Sequence, residues 1–210
     1  IIKIITYDLI KMKIIKIGGN VVDNNEILDK FLSNYAKIKG PKILVHGGGK
    51  IATKISAALG IETKMIEGRR VTDAETVKVV TMVYAGLVNK TVVSKLQALN
   101  VNAIGLSGAD GNAIKSHKRP LKNGIDYGFV GDVDTVNNEL LTTLIEQDYA
   151  PVMSPITHDK KGVLLNTNAD TIASTIAVAL SEHFEVELCY CFELAGVMGD
   201  IKDASTLINS

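Results

Sequence analysis

Short apolar segments of strand length alternate along the chain with longer segments in which apolar residues recur every three or four positions. The strand-like segments cover residues 13–18, 41–46, 101–108, 149–156 and 185–192. The helix-like segments cover residues 23–38, 50–59, 71–100, 138–147 and 171–180. This alternation predicts an α/β fold in which helices cover both faces of a mainly parallel sheet.

The starts of the predicted helices carry capping signals. Asp23 or Asn24 is placed to cap the first helix. Thr72 and Glu75 match a capping box at the start of the long helix. Gly86 lies in the middle of that helix, where glycine costs about 1 kcal/mol relative to alanine. We therefore expect a close helix–helix contact at Gly86, for example at a subunit interface.

Two segments depart from the simple alternation. Residues 113–120 and 126–133 predict two short strands around a polar turn, as in a hairpin. Residues 1–11 contain IIKI, which recurs at 14–17, and Met12 is a natural starting residue. We expect residues 1–11 to be a non-native or upstream extension. An added β-strand is the alternative.

Composition and charge narrow the class of protein. The 210 residues are 46% hydrophobic, and 23 Lys and Arg balance 23 Asp and Glu. A chain without net charge has no field that favours nucleic acid or an anionic membrane. Apolar runs shorter than ten residues predict no membrane span. Cys189 and Cys191 fall on one face of a predicted strand, where a disulfide between them is unfavourable. We therefore expect a cytoplasmic protein.

Candidate chemistry lies where the predicted strands end. Glycine-rich or polar clusters occur at residues 16–20, 46–50, 107–111 and 166–170. In open parallel sheets, ligands bind beyond the carboxyl ends of the strands, and backbone amides at helix N-termini bind anions. The clusters therefore predict an anion-binding site at one edge of the sheet.

The glycines at 47–49 allow more than one interpretation by themselves. They match the dinucleotide fingerprint G-x-G-x-x-A, with Glu67 about twenty residues further on, which would indicate an NAD-dependent oxidoreductase. They also fit a tight turn made for packing. The sequence contains neither a P-loop nor a G-x-S-x-G nucleophile motif, and its four histidines show no metal-ligand spacing.

Six motifs in order resemble those of the acetylglutamate kinases, in the amino-acid kinase superfamily. They are KIGGN (16–20), VHGGGK (45–50), EGRRVTDAET with VYAGLVNK (67–90), GLSGADGN (105–112), GFVGDV (128–133) and LNTNADTIA (165–173). The resemblance extends from about residue 12 to about residue 200. It implies an open three-layer αβα sandwich, usually a homodimer. It also implies ATP-dependent phosphorylation of the side-chain carboxylate of N-acetyl-L-glutamate, the second step of arginine biosynthesis.

The resemblance implies two lobes. Residues 12–165 would bind the acyl-glutamate and form the dimer interface, and residues 166–210 would begin a C-terminal lobe that binds ATP and Mg²⁺. The family's glycine-rich ATP loop and second catalytic lysine do not occur in the 210 residues. We therefore expect a truncated ATP lobe and an inactive or severely impaired enzyme when this chain is alone.

For the nucleotide side of the site, the resemblance implies five residues. Lys16 would bridge toward the transferring phosphoryl group, and Gly18 and Gly19 would donate amides to the ATP phosphates. Asp170 would orient the catalytic lysines. Residues 192–196, FELAG, replace the family's Ser-Asp-Val-x-Gly, so Glu193 would take the place of its aspartate near the nucleotide.

For the substrate side, Gly48 and Gly49 would donate amides to the acyl-glutamate and the moving phosphoryl group. Arg70 would hold the α-carboxylate, with Arg69 as an alternative, and Asn166 would be its partner. A planar guanidinium suits a carboxylate better than a lysine does. We expect Gly48→Val to block the substrate and leave the fold largely intact.

The chemistry implied by the resemblance is consistent with these residue types. The nucleophile would be a carboxylate with an ordinary pKa near 4.3, already ionised at pH 7, so no general base is required. The site must instead align the reactants and neutralise the charge of the phosphoryl oxygens. Asp170 would therefore organise the site and not act as a base.

Three further expectations remain open from the sequence. The motifs are similar to those of a Bacteroides-type subgroup in which N-succinyl-L-glutamate replaces the acetyl substrate, with Arg69 or Lys64 as the extra cation. Residues 1–11 are too short for the N-terminal helix of arginine-inhibited members, so we expect no arginine feedback. The rival classes are the NAD-dependent oxidoreductase and a non-catalytic small-molecule sensor on a related fold.

Overall fold

The computed structural model describes residues 9–66, 68–121 and 123–191 of the chain. The strands are β1 (Ile10–Ile17), β2 (Lys42–His46), β3 (Met65–Ile66), β4 (Arg69–Arg70), β5 (Ala103–Leu106), β6 (Ile114–Lys118), β7 (Gly131–Val136), β8 (Ala150–Met153), β9 (Ile156–His158), β10 (Leu164–Asn166) and β11 (Phe184–Cys191). The helices are α1 (Gly19–Asp23), α2 (Asn25–Lys37), α3 (Gly49–Ala58), α4 (Ala74–Thr81), α5 (Asn89–Ala98), α6 (Asn138–Glu146) and α7 (Ala169–Leu180). A π-helical segment, Met82–Val88, joins α4 to α5.

The central sheet is parallel and has the strand order β11-β1-β2-β8-β5. Successive side chains point to opposite sides, and the inner strands β2 and β8 are buried throughout because helices cover both faces of the sheet. Ile14 and Ile43 pack in a core with α6 and α7, whereas Ile15 and Leu44 pack in a second core with α1 to α5. The predicted αβα sandwich with a mainly parallel sheet is confirmed.

A second sheet, in the order β10-β9-β6-β7, lies beside the central one. The predicted hairpin is present as the antiparallel pair β6–β7, although its second strand begins at Gly131 and not at residue 126. The strand predicted over residues 149–156 is divided into β8 and β9, which belong to different sheets. Pro155 lies in the interruption, where a residue without an N–H cannot continue the ladder.

The first strand begins earlier than the sequence predicted. β1 starts at Ile10 and pairs residue by residue with β11, from Ile10 opposite Phe184 to Ile17 opposite Cys191. Met12 is almost fully buried. Residues 10 and 11 therefore belong to the sheet, and the origin of residues 1–11 as an extension stays a prediction. Residues 1–8 lie outside the described part of the chain.

The long helix forms as predicted, but its cap and its middle differ. The capping box is wrong: Asp73 is the N-cap and accepts from the Thr76 amide, because the Thr72 hydroxyl instead donates to the Arg70 carbonyl. An added Cβ at Gly86 meets no described atom within 4 Å. The expected close contact is therefore not formed within the described chain, and contact with a second subunit stays a prediction.

The same helix, Ala74–Ala98, is long and apolar enough to cross a bilayer by length and composition alone. A count of uninterrupted apolar runs does not detect it. Val80, Val83 and Val92 on this helix are buried against the sheet. The helix therefore packs as the core helix of a globular domain does.

Candidate active site

The predicted site residues converge at the carboxyl edge of the central sheet. A cavity of about 240 Å³ lies there, and its walls include Gly48, Gly49, Arg70 and Asn166. Glycines 47–49 follow β2, and Asn166 ends β10 immediately before α7. The glycine loop, Arg70 on β4 and Asn166 on β10 are separate in sequence, and the cavity brings together all four substrate-side residues predicted from the motifs.

The glycine loop turns directly from β2 into α3. Gly48 is the N-cap of α3, with φ 157° and ψ 17°, a conformation that L-residues rarely adopt. A Cβ at Gly48 would lie 3.1 Å from Cδ1 of Tyr84, whereas a Cβ at Gly49 would enter open space. A side chain at Gly48 would strain the loop and press against Tyr84, so Gly48→Val changes more than access of the substrate, and its effect on the fold stays a prediction. Gly49 is the better position for probing the cavity.

Arg70 is held firmly beside this loop. Arg70 is only 8% exposed. Its guanidinium donates to the Gly49 carbonyl at 3.0 Å, to the Thr53 hydroxyl at 2.8 Å and to the Thr63 hydroxyl at 3.0 Å. Neighbouring Arg69 is exposed. Burial and fixed partners favour Arg70 over Arg69 as a preorganised carboxylate ligand.

Tyr84, which the sequence analysis did not select, forms the floor under the glycine loop. Burial raises the pKa of its hydroxyl, and the neighbouring Arg70 acts in the opposite direction. The Tyr84 side chain therefore lies beside both the Arg70 guanidinium and the glycine loop. No local sequence signal marks Tyr84, because its helical spacing is that of an ordinary core residue.

Asn166 is positioned by the chain segment that follows the hairpin turn. Its side-chain amide donates to the Thr72 hydroxyl at 3.0 Å, and its backbone N–H donates to the Phe129 carbonyl. Gly128 makes this crossing possible, since a Cβ there would lie 2.1 Å from the Thr72 carbonyl oxygen. The motif residues of 128–133 therefore act by bringing separate segments to the cavity.

The two predicted catalytic residues form an ion pair. Nζ of Lys16, at the end of β1, lies 2.8 Å from Oδ1 of Asp170, in the first turn of α7. The lysine side chain is 10% exposed and the carboxylate 48%. Asp170 is not the helix cap, because the Asn168 side chain accepts from the Thr171 amide in that role. Its carboxylate is thus available to orient Lys16.

The Gly18–Gly19 turn lies against the loop at 47–49. Gly47 donates its N–H to the Ile17 carbonyl at 3.0 Å, and a Cβ at Gly19 would lie 3.7 Å from the Gly49 nitrogen. The two glycine turns therefore expose neighbouring stretches of backbone beside Lys16. Glu193 and the rest of the FELAG segment lie outside the described residues.

Arg119 is a cavity residue that the sequence analysis missed. It lies just after β6, lines the cavity, and makes a bidentate pair with the Asp132 carboxylate, at 2.5 to 3.2 Å. Its guanidinium also lies 5.8 Å from the centre of the Tyr127 ring. Its backbone N–H donates to the Val130 carbonyl at 2.7 Å, so contact with the segment that begins β7 holds Arg119 at the site.

The donor set suits anions better than a resident metal. Among the described residues, no group of three or more His, Cys, Asp or Glu side chains could hold a metal ion. Arginine, lysine and helix N-terminal amides are instead ligands for carboxylates and phosphates. Mg²⁺ would therefore arrive with nucleotide phosphates, which usually complete its coordination.

Comparisons with known proteins identify the family of this chain. Residues 11–209 match the model of the amino acid kinase family. The chain is 59% identical over 200 residues to the acetylglutamate kinase of Cytophaga hutchinsonii, covering 95% of this chain and 76% of that protein. It is 58% identical over 198 residues to the acetylglutamate kinase of Parabacteroides distasonis, covering 94% and 77%.

A solved structure of N-acetylglutamate synthase from Neisseria gonorrhoeae has a TM-score of 0.76 to this chain at 20% identity, covering 89% of this chain and 42% of the other. That likeness concerns the fold alone. The family match and the close relatives leave no support for a dinucleotide-binding interpretation of glycines 47–49. The chain belongs to the amino acid kinase family and, within it, to the acetylglutamate kinases.

Proposed function

We propose that this protein transfers the γ-phosphoryl group of ATP to the side-chain carboxylate of N-acetyl-L-glutamate, the second step of arginine biosynthesis. The observation that carries the proposal is the meeting of Arg70, Asn166 and the glycine loop in one cavity. The close similarity to acetylglutamate kinases supports the same reaction.

On the substrate side, the Arg70 guanidinium binds the α-carboxylate of the acyl-glutamate. Its three hydrogen bonds to protein oxygens fix its plane before the substrate arrives, which lowers the entropy lost on binding. Asn166 contributes a polar amide on the opposite wall. The γ-carboxylate then extends toward the amides of Gly48 and Gly49 at the start of α3.

On the nucleotide side, Lys16 neutralises charge on the transferring phosphoryl group, and the amides of Gly18 and Gly19 bind phosphate oxygens. ATP, with Mg²⁺ on its phosphates, supplies the phosphoryl group. Asp170 holds the Lys16 ammonium in place. The attacking carboxylate is ionised at neutral pH, so neither residue needs to accept a proton.

Three finer features belong to the proposal. Residues 12–165 form the lobe that binds the acyl-glutamate, and 166–210 begin the lobe that binds ATP. The protein is a cytoplasmic homodimer, supported by the exposed apolar residues Met82 and Leu87 on either side of Gly86. The acyl group is open to a succinyl variant, since Arg69 lies exposed on the cavity wall.

The test is a phosphoryl-transfer assay on the gene product that carries this sequence. With ATP, Mg²⁺ and N-acetyl-L-glutamate, trapping with hydroxylamine should reveal an acyl phosphate, and omission of either substrate should abolish it. N-succinyl-L-glutamate is compared in the same assay, and a clear acetyl preference would reject the succinyl variant. NAD-dependent oxidation, or substrate binding with no phosphoryl transfer, would contradict the proposed reaction.

A further inference from the structure

A buried histidine, His46, is the last residue of β2 and lies directly before the glycine loop. It is completely inaccessible to solvent. Its Nδ1 lies 2.8 Å from the Gly47 carbonyl oxygen, and its Nε2 lies 3.1 Å from Nδ2 of Asn89. The imidazole thus joins the loop to the first residue of α5.

The surrounding partners determine the tautomer of His46. A carbonyl oxygen only accepts, so Nδ1 carries the hydrogen and donates it to Gly47. Nδ2 of Asn89 also donates to the Val152 carbonyl at 2.9 Å, so Asn89 presents N–H to the histidine, and Nε2 accepts. Lys90, which can only donate, lies 3.1 Å from the Asn89 oxygen and fixes the amide orientation from its other end.

This network has no room for a side chain at Gly105 on β5. A Cβ at that position would lie 2.0 Å from the Asn89 oxygen and 2.8 Å from Nζ of Lys90. Lys90 also donates to the Gly105 carbonyl at 3.0 Å. The chain Lys90–Asn89–His46 is therefore anchored to two central strands. Burial lowers the pKa of His46 to about 4, which keeps the imidazole neutral as this pattern requires.

The position of the Gly47 carbonyl bears directly on the loop amides. A peptide unit is planar and trans, so its C=O and N–H point in opposite directions. The carbonyl of Gly47 and the N–H of Gly48 belong to one such unit. Glycines on both sides of that peptide offer little steric resistance to its rotation. A fixed partner for the carbonyl therefore fixes the direction of the Gly48 N–H.

We propose that His46 is a positioning residue for phosphoryl transfer: its Nδ1–H holds the Gly47 carbonyl, and so aims the Gly48 N–H at the reacting carboxylate. The inference rests on the proposed function, because the Gly48 amide matters for turnover only if that carboxylate lies beside it. His46 itself touches no substrate. Its effect should appear in kcat more than in KM, since Arg70 continues to bind the α-carboxylate.

Two substitutions, made in the gene product that carries this sequence, separate the roles of the two ring nitrogens. His46→Asn places an amide N–H close to the position of Nδ1, whereas His46→Gln places its amide close to that of Nε2. Complete loss of one hydrogen-bond donor that stabilises charge in a transition state, as proposed for the Gly48 N–H, lowers kcat by roughly 10²- to 10³-fold. In His46→Gln the Gly48 N–H is misdirected and not lost, so kcat should fall roughly 10- to 100-fold, with KM for N-acetyl-L-glutamate changed less than about threefold. His46→Asn should retain kcat within about fivefold of the wild type.

Lys42→Met is the matched control for general destabilisation. Lys42 lies at the other end of β2, is buried, and donates to the Tyr35 and Ile38 carbonyls. This variant should lower Tm without lowering kcat. Equal losses of kcat in both His46 variants, unchanged kcat in His46→Gln, or the same loss in Lys42→Met would each overturn the inference.

A second measurement keeps this inference distinct from the proposed function. Nitrogen NMR of the unliganded wild-type protein should show His46 protonated on Nδ1 only, and the Gly48 amide signal should move in His46→Gln but stay near its wild-type position in His46→Asn. An Nε2-protonated ring, or a Gly48 signal indifferent to both substitutions, would refute the positioning role. A wild-type enzyme with no phosphoryl transfer would instead refute the proposed function.

Discussion

Replacing Arg70 by lysine tests the substrate side of the site, because the change keeps the charge and removes the planar fork. The guanidinium is nearly buried and makes three hydrogen bonds, to the Gly49 carbonyl, Thr53 and Thr63. A lysine ammonium has three donors against the five of a guanidinium, so it cannot satisfy these three oxygens and also donate to a carboxylate. We therefore expect weaker binding of N-acetyl-L-glutamate.

The size of the effect follows from the bonds that are lost. A hydrogen bond to a charged group contributes about 1.5–3 kcal/mol. Losing one such bond to the α-carboxylate should raise the Kd of N-acetyl-L-glutamate by roughly 10- to 150-fold. Isothermal titration calorimetry on the purified protein measures this Kd without requiring turnover.

Arg69→Lys is the control, because Arg69 is the neighbouring residue on the same strand, carries the same charge and is exposed. Its Kd should stay within about threefold of the wild type, since an exposed ion pair contributes at most about 1 kcal/mol. If Arg69→Lys lost the affinity and Arg70→Lys kept it, the assignment of the α-carboxylate to Arg70 would be wrong. Equal affinity in all three proteins would remove both arginines from the substrate site.

Three other changes test the rest of the site. Asp170→Asn removes the charge that orients Lys16, so kcat should fall about 100-fold while the Kd of N-acetyl-L-glutamate stays within about threefold. A normal kcat for acyl-phosphate formation would contradict the role of Asp170. Gly49→Ala places a methyl group in the cavity and should weaken acyl-glutamate binding at least about tenfold with little change in Tm; undiminished affinity would show that the substrate lies elsewhere. For His46, the folded pKa is about 4 and the unfolded value 6.5, so the unfolded chain binds more protons between these values. Relative to His46→Asn, the wild type should therefore lose about 3 kcal/mol of unfolding free energy as the pH falls from 6.5 to 4; parallel pH profiles in chemical denaturation would disprove the buried neutral imidazole.

The order of strands and helices could be predicted from the sequence, because the apolar segments of the sequence are the segments that the fold buries. Ile14 and Ile15 face opposite sides of β1, and Ile43 and Leu44 do the same on β2, so both strands appear as continuous apolar runs. Glycines and polar residues at the strand ends mark where the sheet meets its ligands. These local signals were sufficient for the fold class and for the edge of the sheet where the cavity lies, whereas the substrate-side residues followed from the resemblance to the acetylglutamate kinases.

What the sequence could not supply depends on contacts between distant segments. Thr72 resembles a helix cap, but its hydroxyl is used by the Arg70 carbonyl and Asn166, so Asp73 takes the cap. Arg119 is held at the cavity by its contacts with the segment that begins β7, where its N–H donates to the Val130 carbonyl and its guanidinium to Asp132. The restriction at Gly48 comes from Tyr84, which lies 36 positions away in the sequence (84 − 48). No periodicity or short motif encodes such contacts.

The most direct test of the central claim is a structure of this protein with N-acetyl-L-glutamate bound. The α-carboxylate should accept from the Arg70 guanidinium on the cavity wall, and the γ-carboxylate should lie within hydrogen-bond distance of the Gly48 and Gly49 amides, on the side of Lys16. A ligand bound in the reverse orientation, or outside this cavity, would contradict the account.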